Sequence, residues 1–254
     1  MSNINLVLSG GGARGIAHLG VVKALQERKI RIERISGASA GSIMGAFIAA
    51  GYPPEDTLKI ICEQRLFSLI RPTFNRGIFT MNGLEKGLHK YFQNMTFESL
   101  DIPLIIWTTC VQTGLSETFQ KGDIIKPIIA SSSIPGLFEP MVLNGKQYID
   151  GGVINNLPIE PFLELSEPIV AVHVNPPYIS GPLNSTMKLV SRVAEVIAYQ
   201  SIEKRQHHVA LFIEPPQLKM FAISDLKRAK EIFKVGYDYA LSLEKELNLL
   251  KHMV

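Results

Sequence analysis

The sequence predicts an α/β layered fold, a three-layer sandwich with a largely parallel central sheet. Three observations predict it. Short apolar runs of strand length alternate with stretches of helical periodicity, the pattern of a sheet covered by crossover helices. Two glycine-rich turns, Gly10-Gly11-Gly12-Ala13-Arg14-Gly15 and Gly37-Ala38-Ser39-Ala40-Gly41, each follow such a run and open a helical one. The chain has 254 residues, 46% of them hydrophobic, enough to bury a sizeable core in one large domain, residues 1–254.

The elements follow in order. Ile4 to Leu8 reads as a buried strand, and Ala13 to Arg28 as a helix with Ile16, Leu19, Val22, Ala24 and Leu25 on one side. Ile32 to Ile35 is the second strand. Ser42 to Ala50 is a helix too apolar for a surface position, ended by Gly51. Pro53 to Tyr91 reads as mostly helical around a loop at Arg71 to Gly77, with Asn82 and Glu85 placed to cap the next helix. Leu104 to Cys110 and Ser116 to Gln120 are strands, and Ile124 to Ser131 is a helix. Val142 to Tyr148 is a hairpin turning at Asn144-Gly145. Ile169 to Val174 and Ala210 to Ile213 are strands, with long amphipathic helices at Leu189 to His208 and Asp225 to Leu250.

Composition narrows the function. The net charge is +3 and the basic residues are scattered, unlike the clustered footprint of a nucleic-acid binder. Cys62 and Cys110 belong to no metal or redox spacing and read as buried thiols of a reducing compartment. Leu6-Val7-Leu8 is too short for a signal peptide, and the longest nearly uncharged apolar stretch, Ile43 to Tyr52, is too short to span a membrane. The expectation is a cytoplasmic protein with room for transient contact at the inner membrane surface, in an oligomeric state that the sequence leaves open.

The second glycine turn fits Gly-x-Ser-x-Gly, the nucleophile elbow, which exposes a serine hydroxyl at the C-terminal end of a sheet. Gly37 and Gly41 leave room for the backbone to double back at Ser39. The helix from Ala40 aims its positive end at the same spot. A serine capping a helix in a glycine-rich turn is the plainer alternative.

Gly10, Gly12 and Gly15 also match the dinucleotide pattern Gly-x-Gly-x-x-Gly, but the acidic residue expected at the end of the second strand is missing. Glu33 stands near that strand's beginning instead. Backbone N–H groups of Gly11, Gly12 and Ala40 suit an oxyanion hole, with Arg14 adding charge, bracing the loop or facing solvent.

A serine nucleophile needs a base. Asp150, in Tyr148-Ile149-Asp150-Gly151-Gly152, is the first candidate, although on local sequence alone a turn-forming aspartate is the simpler reading. His18, one turn into the first helix and near the glycine loop, and His173, towards the strand end where sites collect, are also candidates, yet each reads more simply as structural. His207 and His208 are adjacent and so point apart, while His89 and His252 read as surface residues.

Taken together, these motifs resemble the patatin-like phospholipases, in particular small stand-alone bacterial members. Gly10 to Gly15, Gly37 to Gly41, Ala130 to Pro140 and Asp150-Gly151-Gly152 carry the match in order and approximate spacing, over roughly Ile4 to Val174. The resemblance implies a fold similar to the cytosolic phospholipase A2 catalytic domain and a Ser39–Asp150 dyad without catalytic histidine. It implies Gly11, Gly12 and Arg14 in the oxyanion segment, and no metal or other cofactor. The reaction implied is serine-dependent hydrolysis of carboxylic esters of lipids, phospholipid or lysophospholipid, through an acyl-enzyme. Acyl transfer to another acceptor, or a non-catalytic interaction role on the same fold, are the alternatives. Extensions found in larger relatives are not expected.

Leu66 to Met81, apolar with Arg65, Arg71 and Arg76 interspersed, could shape acyl access or simply pack helices. Lys227, Arg228, Lys230 and Lys234 could touch anionic lipid but read more simply as a solvated face.

Overall fold

The computed structural model describes residues 3–64, 71–72, 79–177 and 181–250. The expected acyl-access segment 66–81 lies mostly outside them, as does His252.

Strands β1 (Asn3–Leu8), β2 (Arg31–Ala38) and β5 (Leu104–Cys110) form the parallel centre of the sheet. β9 (Ile169–Val172) and β10 (Leu211–Ile213) extend it in parallel beyond β1. β6 (Ser116–Phe119) and β8 (Lys146–Asp150) run antiparallel to β5 on its two edges, and β7 (Met141–Leu143) pairs with β8. A separate ribbon joins the two-residue strands β3 (Arg71–Pro72) and β4 (Phe79–Thr80). The helices are α1 (Ala17–Glu27), α2 (Ala40–Ala49), α3 (Pro54–Gln64), α4 (Asn82–Phe92), α5 (Ile125–Ser131), α6 (Thr186–Arg205), α7 (Ala229–Ser242) and α8 (Glu244–Leu250).

Strand alternation divides the core between two faces. Leu6, Leu8, Val170 and Val172 pack with residues of α1, α2, α4, α5, α7 and α8. Val7, Ile169 and Ala171 point the other way, onto Leu157, Ile159, Phe162 and Ile202 of α6. The middle layer is thus covered on both sides, as expected. Every residue of α2 is buried, which accounts for its apolar sequence, and Gly51 follows with φ 79°.

Three local expectations are corrected. Asn82 is the first residue of α4 and Met81 its N-cap, with no side chain capping the helix. The C-terminal helix is two helices, because Leu243, at φ −88° and ψ 38°, leaves the helical region. Cys110 is buried but Cys62 is exposed, since α3 turns Thr57 and Ile61 inward and Cys62 outward.

Candidate active site

The sheet register builds the site. β2 and β6 both pair with Ile106 and Trp107, so they occupy opposite edges of β5. β6 and β8 both pair with Thr108 and Thr109, so β8 lies on the edge that β2 occupies. β2 therefore ends where Ala38 meets Trp107, and β8 ends where Asp150 meets Thr108. The two strands approach along one edge from opposite directions, C-terminal end to C-terminal end. This brings Ser39 and Asp150 together across 111 residues of sequence.

Ser39 Oγ donates to Asp150 Oδ2 at 2.5 Å, and both residues are buried. Ser39 has φ 52° and ψ −125°, a strained backbone for a residue with a side chain. A side chain on Gly37 would come within 2.7 Å of the Gly41 carbonyl oxygen, and one on Gly41 would collide with the Leu8 carbonyl. The elbow is thus possible only with these glycines.

Ser39 N–H donates to Ser131 Oγ at 2.8 Å, and Ser131 Oγ donates onward to the Trp107 carbonyl at 2.7 Å. Asp150 Oδ1 accepts from Gly152 N–H at 2.7 Å, and Asp150 N–H donates to the Ser133 carbonyl at 2.9 Å. Burial pushes the Asp150 carboxyl up to about 6, against the pull of its bonds from Ser39 and Gly152.

The first glycine loop lies against the elbow. A Cβ on Gly10 would meet Ser39 Cβ at 2.8 Å, and one on Gly15 would meet Ala40 Cβ at 2.5 Å. The N–H groups of Gly11, Gly12 and Ala40 donate to no other described residue.

Arg14 does not face solvent. It is buried, and its Nε donates to the Phe221 carbonyl at 2.7 Å and its Nη1 to Asn175 Oδ1 at 3.2 Å. Asn175 Nδ2 in turn donates to the Gly10 carbonyl at 2.7 Å, so Arg14 braces the loop through Asn175. Asn156 Oδ1 accepts from Gly10 N–H at 2.9 Å, and it fills the space where Gly152 would carry a side chain, contacting that missing Cβ position at 2.6 Å. One amide thereby joins the glycine loop to the aspartate turn.

Neither histidine reaches the serine. His18 Nε2 lies 2.8 Å from the Ser9 carbonyl, which can only accept, so Nε2 carries the proton. Burial lowers His18 to about 4, keeping it neutral near pH 7. His173 Nδ1 donates to Glu214 Oε1 at 2.6 Å. His89, His207 and His208 are exposed, and no group of metal ligands occurs among the described residues.

Sequence reasoning missed Asn156 and Asn175. Ser131 lay within a quoted motif without a role. The one local signal for Asn156 is its place six residues after Asp150, in Asn155-Asn156-Leu157-Pro158.

The fold is thus a layered α/β sheet with a serine on a strained strand–helix turn, bonded to a buried aspartate. The family model for patatin-like phospholipases matches residues 6–163, and the chain belongs to that family.

Lysophospholipase NTE1 of Kluyveromyces lactis is 28% identical over 272 residues, covering 93% of this chain and 19% of that protein. Human patatin-like phospholipase domain-containing protein 6 is 26% identical over 274 residues, covering 94% of this chain and 20% of that protein. An NTE family protein of Mycobacterium tuberculosis is 32% identical over 176 residues, covering 68% of this chain and 49% of that protein. The chain thus spans about a fifth of the first two and half of the third. VipD from Legionella pneumophila shares the fold, with a TM-score of 0.57 at 15% identity over 97% of this chain and 66% of that one.

Proposed function

We propose that residues 1–254 act as one lipid acyl hydrolase unit that cleaves carboxylic esters of phospholipids or lysophospholipids with Ser39 as nucleophile and Asp150 as base. The observation that carries this reading is the 2.5 Å bond from Ser39 Oγ to Asp150 Oδ2 in a buried setting. A carboxylate is a weak base in water, and burial near about 6 makes it a better one while leaving it mostly ionised near pH 7.

Asp150 Oδ2 takes the hydroxyl proton as Ser39 Oγ bonds to the ester carbonyl carbon. The negative charge moves to the carbonyl oxygen, where the N–H groups of Gly11, Gly12 and Ala40 are free to donate. Collapse breaks the bond to the alcohol oxygen, which leaves with the proton from Asp150. Water then gives its proton to Asp150 and attacks the acyl carbon. The resulting tetrahedral species expels Ser39, which regains the proton. Arg14 and Asn156 hold the glycine loop in register with the dyad. The names of the relatives favour a lysophospholipid or phospholipid as the ester.

Treatment with a long-chain fluorophosphonate followed by intact-mass spectrometry and peptide mapping tests the reading. The expected result is one adduct on Ser39, together with fatty-acid release from lysophosphatidylcholine that Ser39→Ala abolishes. An adduct elsewhere, or release that survives Ser39→Ala, overturns it. Adding alcohols or lysolipids to the assay separates transfer from hydrolysis.

A further inference from the structure

Resting on the reading of the chain as a lipid acyl hydrolase, we infer that α6 and the apolar rim beside it form the surface by which the protein lies on a phospholipid bilayer. α6 connects the C-terminal end of β9 to the N-terminal end of its parallel neighbour β10. Its first turns therefore stand at the C-terminal edge of the sheet, the edge that carries Ser39. α6 packs on the turn Gly151–Val153 that directly follows Asp150, and Ile202 anchors its inner side in the smaller core.

Its outer side carries an apolar stripe over the turns from Leu189 to Ile197. Leu189, Val193, Val196 and Ile197 recur at the spacing of one helical face and all are exposed, Val193 at 49% and Ile197 at 54%. Two more exposed apolar residues flank the dyad. Ile154 follows the aspartate turn, and Ile223 lies against Gly12, its carbonyl accepting from Ala13 N–H. Contiguous apolar surface facing water marks an interaction site.

A leaflet is the occupant that fits this position. The surface borders the place where a lipid ester has to arrive, so the membrane that holds the substrate meets it first. Arg192 of α6 pairs with Glu195 and Arg205 with Glu160, so the apolar stripe rather than free charge carries the contact. No helix among the described residues is long and apolar enough to cross a membrane, so α6 lies in the interface plane.

The test is flotation of the Ser39→Ala protein with vesicles of phosphatidylcholine and phosphatidylglycerol. That protein is expected to float, and adding Val193→Asp with Ile197→Asp is expected to lower the vesicle-bound fraction about tenfold, a change worth about 1.4 kcal/mol. Both positions are already half exposed, and circular dichroism checks that the double variant is folded. Leu249→Asp is the control, since Leu249 is exposed on α8, beside the far end of α1. It should float like the parent.

With Ser39 intact, the double variant should hydrolyse a soluble short-chain ester within about twofold of the parent rate while losing activity on vesicles. Flotation unchanged by the double substitution, or no flotation of the parent, overturns the inference. So does a dimer that the double substitution dissociates while vesicle binding stays the same, which would assign the stripe to a second copy. Failure of the parent to hydrolyse any ester counts against the acyl-hydrolase reading instead, because flotation is read on a protein without its nucleophile.

Discussion

Replacing Asp150 with asparagine should make the protein more stable above neutral pH and much less active. Burial holds the carboxyl near about 6, against an ordinary 3.8. Between those values the folded protein keeps a proton that the unfolded chain has released, so stability falls as pH rises through the window. Above it, the ionised carboxylate costs roughly 3 kcal/mol, at about 1.36 kcal/mol per pKa unit.

His18 opposes this trend. Its folded value is lowered from 6.5 to about 4, so its contribution is complete above 6.5 and is lost as pH falls toward 4. The two effects offset each other across most of the same range, and the parent's own profile is expected to be shallow there. The difference between Asp150→Asn and parent isolates the carboxyl. That difference should grow by roughly 3 kcal/mol from about pH 4 to pH 8, in favour of the variant, which for a chain of this size is about 6–12 °C in Tm. Thermal unfolding followed by circular dichroism across that range measures it. A Tm gap that stays constant with pH would refute the claim that burial raises the Asp150 carboxyl. Ester hydrolysis should fall about 10²- to 10⁴-fold in the same variant, and full activity would assign the base elsewhere.

The parent's kcat/KM on a soluble ester should rise about tenfold per pH unit below pH 6 and level off above it, as the Asp150 carboxyl ionises; a profile flat from about pH 4 to 8 contradicts this. Asn156→Ala leaves the Gly10 N–H without its acceptor, so it should cost about 1–3 kcal/mol in urea unfolding. Its kcat should fall about 10²-fold if the glycine loop drifts, and unchanged kcat would remove Asn156 from the positioning of that loop. Ser39→Gly and Ser39→Ala should both be inactive. Glycine should be the more stable of the two by about 1 kcal/mol, because it tolerates φ 52°, and equal melting temperatures would argue against strain at the elbow. Cys62 should react with a thiol reagent in the native protein and Cys110 only on unfolding, as counted by mass spectrometry.

Much of this architecture was legible because it is local. The strand–glycine–helix passages at Gly10 and Gly37 announce themselves within a few residues, and α2 declares its burial by having no polar face. Asp150 was legible only through motif order, since its own neighbourhood reads as a turn. The braces were not legible. Asn156 and Asn175 act on Gly10 across 146 and 165 residues, and no spacing rule connects an amide to a backbone group at that separation. Arg14 was ambiguous for the same reason, because its partners Phe221 and Asn175 belong to a distant part of the chain. The break at Leu243 was hidden because the apolar periodicity runs on through it, from Ala240 to Leu247.

The end-to-end meeting of β2 and β8 on β5 has a mechanical consequence. Ala38, the residue before Ser39, and Asp150 are pinned to successive residues of one strand, Ala38 to Trp107 and Asp150 to Thr108. Separating Ser39 from Asp150 therefore requires a strand end to leave β5. The segments between these strands can change in length without altering the distance from Ser39 to Asp150.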